Sequence, residues 1–208
     1  MRYVREKDRI ETSTMPRRDL TEERTAQILD AFERCVARSG IDGTSLEMIA
    51  EEADMKRSIL RHYVGNREEL VHALARRVVA KYRTMTDAMV ESLPAKKRLE
   101  AMLGMFFPTE NEGSAADVLV IEHFIAAADT DETIRELVTG WVDHLLEAIV
   151  TEIRDEYPKT PKKKGFEIAY GIVSIYFNYG SLLSLGFPDT HRRAALACCR
   201  ELIASLPR

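Results

Sequence analysis

Residues 44–67 read TSLEMIAEEADMKRSILRHYVGNR, and the reading of this stretch decides the fold. Thr44 and Glu47 stand three apart just ahead of apolar residues, the spacing of a capping box that opens a helix. Leu46, Ile49, Ala50 and Ala53 give that helix one apolar, mostly small face. Asp54 and Met55 interrupt it. Aspartate tolerates left-handed backbone angles, so the chain is expected to turn sharply at Asp54. A second short helix follows over roughly residues 56–64, anchored inward by Leu60 and Val64. Two short helices meeting steeply need a small residue where they touch, and Ala50 is placed for that. The outward face of the second helix carries Lys56, Arg57, Arg61 and His62, and no acid lies between Asp54 and Glu68. A short cationic helix behind a tight turn is suited to a duplex major groove. The plainer alternative is a basic, solvated helix in an all-helical bundle.

Upstream, Thr21 followed by Glu22 and Glu23 is expected to start the first helix, with acids at its positive end. Ile28, Leu29, Phe32 and Val36 form its buried face, and Gly40 supplies a left-handed stop. The three helices together make a headpiece too small to be stable unless packed against more protein. Residues 1–20 are highly charged without apolar periodicity and are expected to be a mobile arm. Arg17 and Arg18 could reach DNA from it, and Met15, followed by Pro-Arg-Arg, is a second candidate start of translation.

The same stretch and its flanks resemble the TetR family of transcriptional regulators. The likeness runs from Thr21-Glu-Glu-Arg-Thr-Ala-Gln-Ile-Leu-Asp-Ala-Phe32 through Gly40, then Thr44-Ser45 and Ile49-Ala50-Glu51-Glu52-Ala53. It ends on Leu60-Arg61-His62-Tyr63-Val64-Gly65-Asn66-Arg67-Glu68-Glu69-Leu70. In combination these motifs are specific, but they cover only about a quarter of the chain; the remainder matches in length and helical character alone. The family usually has Gly where Asp54 stands, Tyr where Arg61 stands and Thr where Ile59 stands, so the operator sequence does not carry over from relatives. The resemblance implies an all-α protein with an N-terminal three-helix, homeodomain-like helix-turn-helix headpiece and a C-terminal helical bundle. It also implies a homodimer that binds double-stranded operator DNA and a small-molecule effector.

Downstream of the Gly65-Asn66 turn, Leu70, Leu74, Val78, Tyr82, Met85 and Met89 recur at helical steps in one long helix over residues 67–92. Pro94 closes it. Every later segment also reads as helix: about 95–107, 114–128, 130–156, 160–185 and 189–207, making about nine in all. Asp129 with Glu132, Thr160 and Asp189 are the expected caps. The chain thus divides into an arm (1–20), a helix-turn-helix domain (21–66), a connecting helix (67–92) and a helical ligand-binding and dimerisation domain (93–208).

Net charge is −4, which by itself argues against bulk nucleic-acid binding, but the excess is uneven. Residues 1–92 carry 17 basic and 17 acidic side chains, whereas residues 93–208 carry 13 and 17, so a basic patch near the N-terminus stays free to meet phosphate. Cys35, Cys198 and Cys199 have no metal-ligand spacing and suit reduced thiols in a cytoplasmic protein. No apolar run approaches the ~20 residues of a membrane helix, and no cofactor motif or metal site is expected.

For DNA, Thr44 and Ser45 are placed to meet one phosphate, and Tyr63, Arg67 and Lys56 to grip the backbone on either side. The resemblance puts Arg57, Ser58, Ile59, Arg61 and His62 towards bases. Arg57 or Arg61 would reach guanine and Ile59 a thymine methyl. Gly171, Ser174, Asn178 and Ser181 form a small-residue stripe, with Ala194, Ala195, Ala197 and Cys198 similarly small on the last helix. Such stripes let helices approach closely, and the resemblance places a four-helix dimer interface there. Packing within one subunit is the alternative. Candidates for an apolar effector pocket are Met102, Met105, Phe106, His123, Phe124, Trp141, His144, Tyr176 and Tyr179. Two other classes compete: a helical ligand-binding or adaptor protein without operator binding, and a helical-bundle enzyme. Against the enzyme, neither Glu-x-x-His on two helices nor a glycine-rich phosphate loop nor a zinc spacing is present.

Overall fold

The computed structural model describes residues 17–109 and 115–207. Among these residues the chain is all-helical. The order is α1 (Arg17–Gly43), α2 (Leu46–Glu52), α3 (Arg57–Val64), α4 (Arg67–Ser92), α5 (Arg98–Phe106), α6 (Ala115–Ala127), α7 (Glu132–Glu156), α8 (Lys162–Ser181) and α9 (Asp189–Ala204). This is the all-α arrangement expected from the sequence. Residues 1–16, which include most of the expected arm and Met15, lie outside the described residues.

The helix ends differ in detail from the sequence reading. Thr21 lies inside α1, which already begins at Arg17, because nothing after Pro16 breaks a helix. The cap of α2 is Ser45, whose Oγ accepts from Met48 N–H. Thr44, one residue earlier, is only 1% exposed and donates its hydroxyl to Gly40 O at 2.7 Å. Asp131, not Asp129, caps α7, accepting from Ile134 N–H. Pro161 and Pro188 occupy the caps expected of Thr160 and Asp189, and α8 stops at Ser181 before a 3-10 turn over Leu183–Leu185. In each case a polar residue lies within two positions of the true cap. Where the preceding chain turns decides which position is used.

Two turns behave as their chemistry demands. After α2, Asp54 takes φ 51°, and the bonds Met55 N–H to Ala50 O and Asp54 N–H to Glu51 O close a Schellman motif. Before α4, Asn66 and Glu69 exchange backbone and side-chain bonds in a full capping box. Gly65 there has φ 74°, a left-handed conformation that favours glycine, and a Cβ would displace the Glu69 carboxylate from its capping position.

Two apolar clusters hold the molecule. One joins Ile28, Phe32 and Val36 of α1, Ile49, Leu60 and Leu74 with Phe124 of α6 and Ile134 and Trp141 of α7. The other joins Leu99, Met102 and Phe106 of α5 with Ile149 and Ile153 of α7, Ile168 and Ile172 of α8 and Cys199 of α9. Glu152, 4% exposed, is the buried acid that ties the second cluster to the end of α4. Its carboxylate accepts from Arg98 Nε at 2.6 Å and a terminal guanidinium nitrogen at 2.9 Å, and Arg98 also donates to Val90 O and Leu93 O.

Helices α4 and α7 run side by side in the same direction. Their contacts rise in step: His72 with Asp131, Tyr82 with Trp141, and Asp87 with His144. The two outer contacts are His–carboxylate pairs of 2.7 Å with the histidine on opposite helices. The imidazole of His72, together with backbone donors at the start of α7, holds the Asp131 carboxyl below the usual carboxylate range.

Two outcomes follow. Asp54→Gly removes a left-handed side chain and is expected to raise stability by up to ~1 kcal/mol, read as a higher denaturant midpoint at constant m. A lower midpoint would assign the Asp54 carboxylate a contact of its own. The stability Asp131 contributes is complete above the ordinary aspartate pKa of ~3.9 and is lost as pH falls through its depressed folded value. Unfolding midpoints of Asp131→Asn should therefore fall less steeply below about pH 4 than those of the unaltered chain. Parallel acid limbs would contradict the pairing.

Candidate nucleic-acid interface and effector region

The helix α3 is short because Lys56 caps it without a side-chain bond and Gly65 ends it with φ 74°. Leu60 and Val64 point into the headpiece core, which fixes what faces outward. Lys56, Arg57, Ser58, Arg61 and His62 are exposed, and Ile59, at 42% exposure, stands among them as an apolar side chain in water. The side chains expected to face bases thus share one solvent face. Tyr63 is half-buried against the core and meets His62 edge to face at 5.2 Å, so it braces the helix from below.

Arg57 is not free. Its guanidinium pairs with Glu47 of α2, both side chains being more than half exposed. An exposed pair of this kind is worth roughly 0–1 kcal/mol, less than the ~1–3 kcal/mol of a bidentate arginine–guanine contact. Glu47 therefore holds Arg57 in place without preventing its transfer to a base. Ser45 is exposed at the start of α2; its oxygen is used by Met48 N–H, but its hydroxyl proton remains to be donated.

Two residues expected at phosphate make bonds within the chain. Thr44 is buried, its hydroxyl donating to Gly40 O and its N–H to Ile41 O. Arg67, the first residue of α4, turns inward and donates to the carbonyls of Ile41 and Thr44. The sequence placed both at the edge of the reading unit but did not reveal that the α1–α2 connection has carbonyls needing donors.

The nine residues proposed for an effector pocket do not surround one space. Phe124 and Trp141 belong to the headpiece-side core, Met102 and Phe106 to the C-terminal core. Met105 is exposed, and His144 is taken by Asp87 on the surface of α4. His123 lies over Gly40, where a Cβ would sit 3.0 Å from its ring. Tyr176 stacks on Phe106 at 4.6 Å, and burial pushes its hydroxyl pKa up. Helical spacing put these side chains on inward faces; it did not distinguish a packed interior from a cavity. Tyr179 does line a cavity, a groove of about 760 Å³ where Phe187, Pro188 and Arg192 meet the end of α5 at Pro108. Arg192 is held there by Asp189 and by Phe107 O.

The small-residue stripes divide as well. A Cβ on Gly171 would lie 3.0 Å from Leu202, so this glycine serves the crossing of α8 on α9 within one subunit. Ala195 likewise packs on the C-terminal core. Ser174, Asn178, Ser181, Ala194 and Cys198 remain exposed. The sequence reading missed Phe166 and Tyr170, which are 51% and 59% exposed and stack along α8. Continuing the stripe backwards from Ser174 by fours would have reached both. Cys199 is buried with its thiol pKa raised to about 11. No helix among the described residues is long and apolar enough to cross a membrane.

Residues 28–74 match the family model described as bacterial regulatory proteins, tetR family. The regulator BetI of Burkholderia thailandensis is 35% identical over 65 residues, covering 31% of this chain and 33% of that protein. The match thus spans about a third of the Burkholderia relative's length. BetI of Escherichia coli is 25% identical over 164 residues, covering 77% of this chain and 82% of that protein. Two solved structures share the fold. A transcriptional regulator from Saccharomonospora viridis, in complex with choline, superposes with a TM-score of 0.75 at 18% identity over 90% of this chain and 100% of that one. A TetR regulator from Haloarcula marismortui gives a TM-score of 0.73 at 13% identity over the same shares. These relatives are regulators, not enzymes.

Proposed function

The chain belongs to the TetR family of bacterial regulatory proteins, and from that premise we propose that it is a sequence-specific DNA-binding repressor released from its operator by a small-molecule effector. The observation that carries this reading is α3, a short helix whose exposed face holds Arg57, Arg61 and His62 with no acid of its own. Phosphate contacts from Lys56 and Ser45 would set its register, and base contacts from Arg57, Ile59 and Arg61 would supply specificity.

One headpiece offers too little surface for tight specific binding, so two act together. The exposed stripe of Phe166, Tyr170, Ser174, Asn178 and Ser181 on α8, with Ala194 and Cys198 on α9, is the proposed subunit interface. An unpaired run of that kind is costly to leave in water. The choline held by the Saccharomonospora regulator supports a small-molecule effector, but the groove beside Tyr179 is walled by Ser174, Asn178, Ala194 and Cys198 and so falls to the proposed interface. A ligand favouring a conformation with wrongly spaced reading helices weakens DNA binding by its differential affinity. The α4 helix, about 39 Å long at 1.5 Å per residue, runs from the headpiece to the C-terminal core and is the element whose tilt would carry that coupling.

Selection from a random duplex pool tests the reading directly: enrichment of a two-fold symmetric site supports it, and no salt-dependent duplex binding sinks it. On the selected site, Arg57→Ala is expected to cost ~1–3 kcal/mol and relax preference at one base pair. Lys56→Ala should weaken all sequences alike, so equal losses for both variants on selected and random duplexes would refute the division of roles. Sedimentation at micromolar concentration should give a dimer, and Tyr170→Asp should shift it towards monomer; a monomeric unaltered chain would remove the proposed interface.

A further inference from the structure

The connection between α1 and α2 is held from three directions. Gly40, at φ 72°, breaks α1, and the side chain of Thr44 closes back on its carbonyl at 2.7 Å. The ring of His123 from α6 covers Gly40 so closely that a Cβ there would lie 3.0 Å away. From the side of α4, Arg67 donates to both Ile41 O and Thr44 O. Ser45, the next residue, is the cap that starts α2, and α2 leads through the Schellman turn to α3. The corner at residues 40–45 therefore sets where α2 begins and how α3 stands.

We infer that Arg67 is a positioning residue for the reading helix: its guanidinium fork clamps the 40–45 corner to the first turn of α4, and it does not contact phosphate. The inference rests on the proposed DNA binding but gives Arg67 a role that binding alone does not assign. A guanidinium suits this task because it is planar, permanently charged and able to reach two acceptors at once. Turning it outward would take the guanidinium donor from the carbonyl of buried Thr44 and leave Ile41 O with the Thr44 N–H alone, so the side chain has a stronger claim on the corner than on solvent. A change in the tilt of α4 carries Arg67, its first residue, with it. The clamp then moves the corner, while His123 keeps the far side of Gly40 fixed to α6. The reading helix is thereby posed by the difference between two C-terminal elements.

The clamp predicts a separation between specificity and salt dependence. Full-length protein, Arg67→Ala, Arg67→Gln and Lys56→Ala would be titrated with a selected duplex and a mixed-sequence duplex of equal length, from about 50 to 200 mM salt. Lys56→Ala should lower the slope of log K against log salt by about 0.9 on both duplexes, as one lost phosphate contact requires. Arg67→Ala should keep the unaltered slope, bind the mixed duplex as before, and bind the selected duplex about tenfold more weakly. Arg67→Gln, which keeps an amide donor without charge, should recover part of that loss. A slope lowered by about 0.9 in Arg67→Gln would return this residue to phosphate and overturn the inference. Unchanged affinity of Arg67→Ala for the selected duplex would overturn it equally. Amide exchange in the free protein supplies a readout that needs no duplex. The peptide spanning residues 40–48 should exchange faster in Arg67→Ala and in Arg67→Gln, whereas a phosphate contact predicts no change without DNA. Absence of duplex binding by the unaltered chain would defeat the regulatory reading, not the clamp, which the exchange rates then decide.

Discussion

Burial of Phe32 and Ile28 of α1 in one cluster with Phe124 of α6 is the interaction on which the rest of the structure depends. Three short helices cannot enclose a core of their own. Here the missing wall is supplied by α6, which packs along α1, so the core of the headpiece is shared with the C-terminal half of the chain. A boundary drawn between residues 66 and 67 follows the backbone but cuts through this cluster. Mechanical coupling needs no special linker under these conditions, since shifting α6 disturbs the packing of α1 beneath the reading helix.

Charge is arranged on top of that packing. Three acids of α1 and α2 pair with basic side chains: Glu52 accepts from both Arg34 and Arg38, Asp30 pairs with Arg77 and Glu33 with Lys81. The two arginines hold the Glu52 carboxyl below its ordinary range. Among the described residues Glu47 pairs with the reading helix, through an exposed contact that DNA can displace. A chain with an overall negative charge thus presents a cationic helix that carries no acid of its own.

Much of this was legible in residue order. Apolar periodicity gave the helices, Asp54 and Gly65 gave the turns, and the absence of acid over residues 55–67 marked the exposed face of α3. Cap positions were less legible, because Thr44 and Ser45 both satisfy the chemistry and only the path of the preceding chain chooses Ser45. The least legible features were those decided by partners distant in sequence. Residue order does not show that Arg67 reaches the carbonyls of Ile41 and Thr44, nor that Leu202 lies against Gly171. His123 and His144 read as ligand-pocket imidazoles, yet one covers a glycine and the other pairs with Asp87.

The lone tryptophan of the chain stands where α4, α7 and α8 meet, with Tyr82 on one side at 4.9 Å and Phe177 on the other at 5.5 Å. Indole emission reports the polarity and rigidity of its surroundings. Nature has thus installed a single fluorophore at the joint between the connecting helix and the bundle. Light from Trp141 can follow the displacement of one helix against another in the intact protein, with no label attached and no competing indole to subtract.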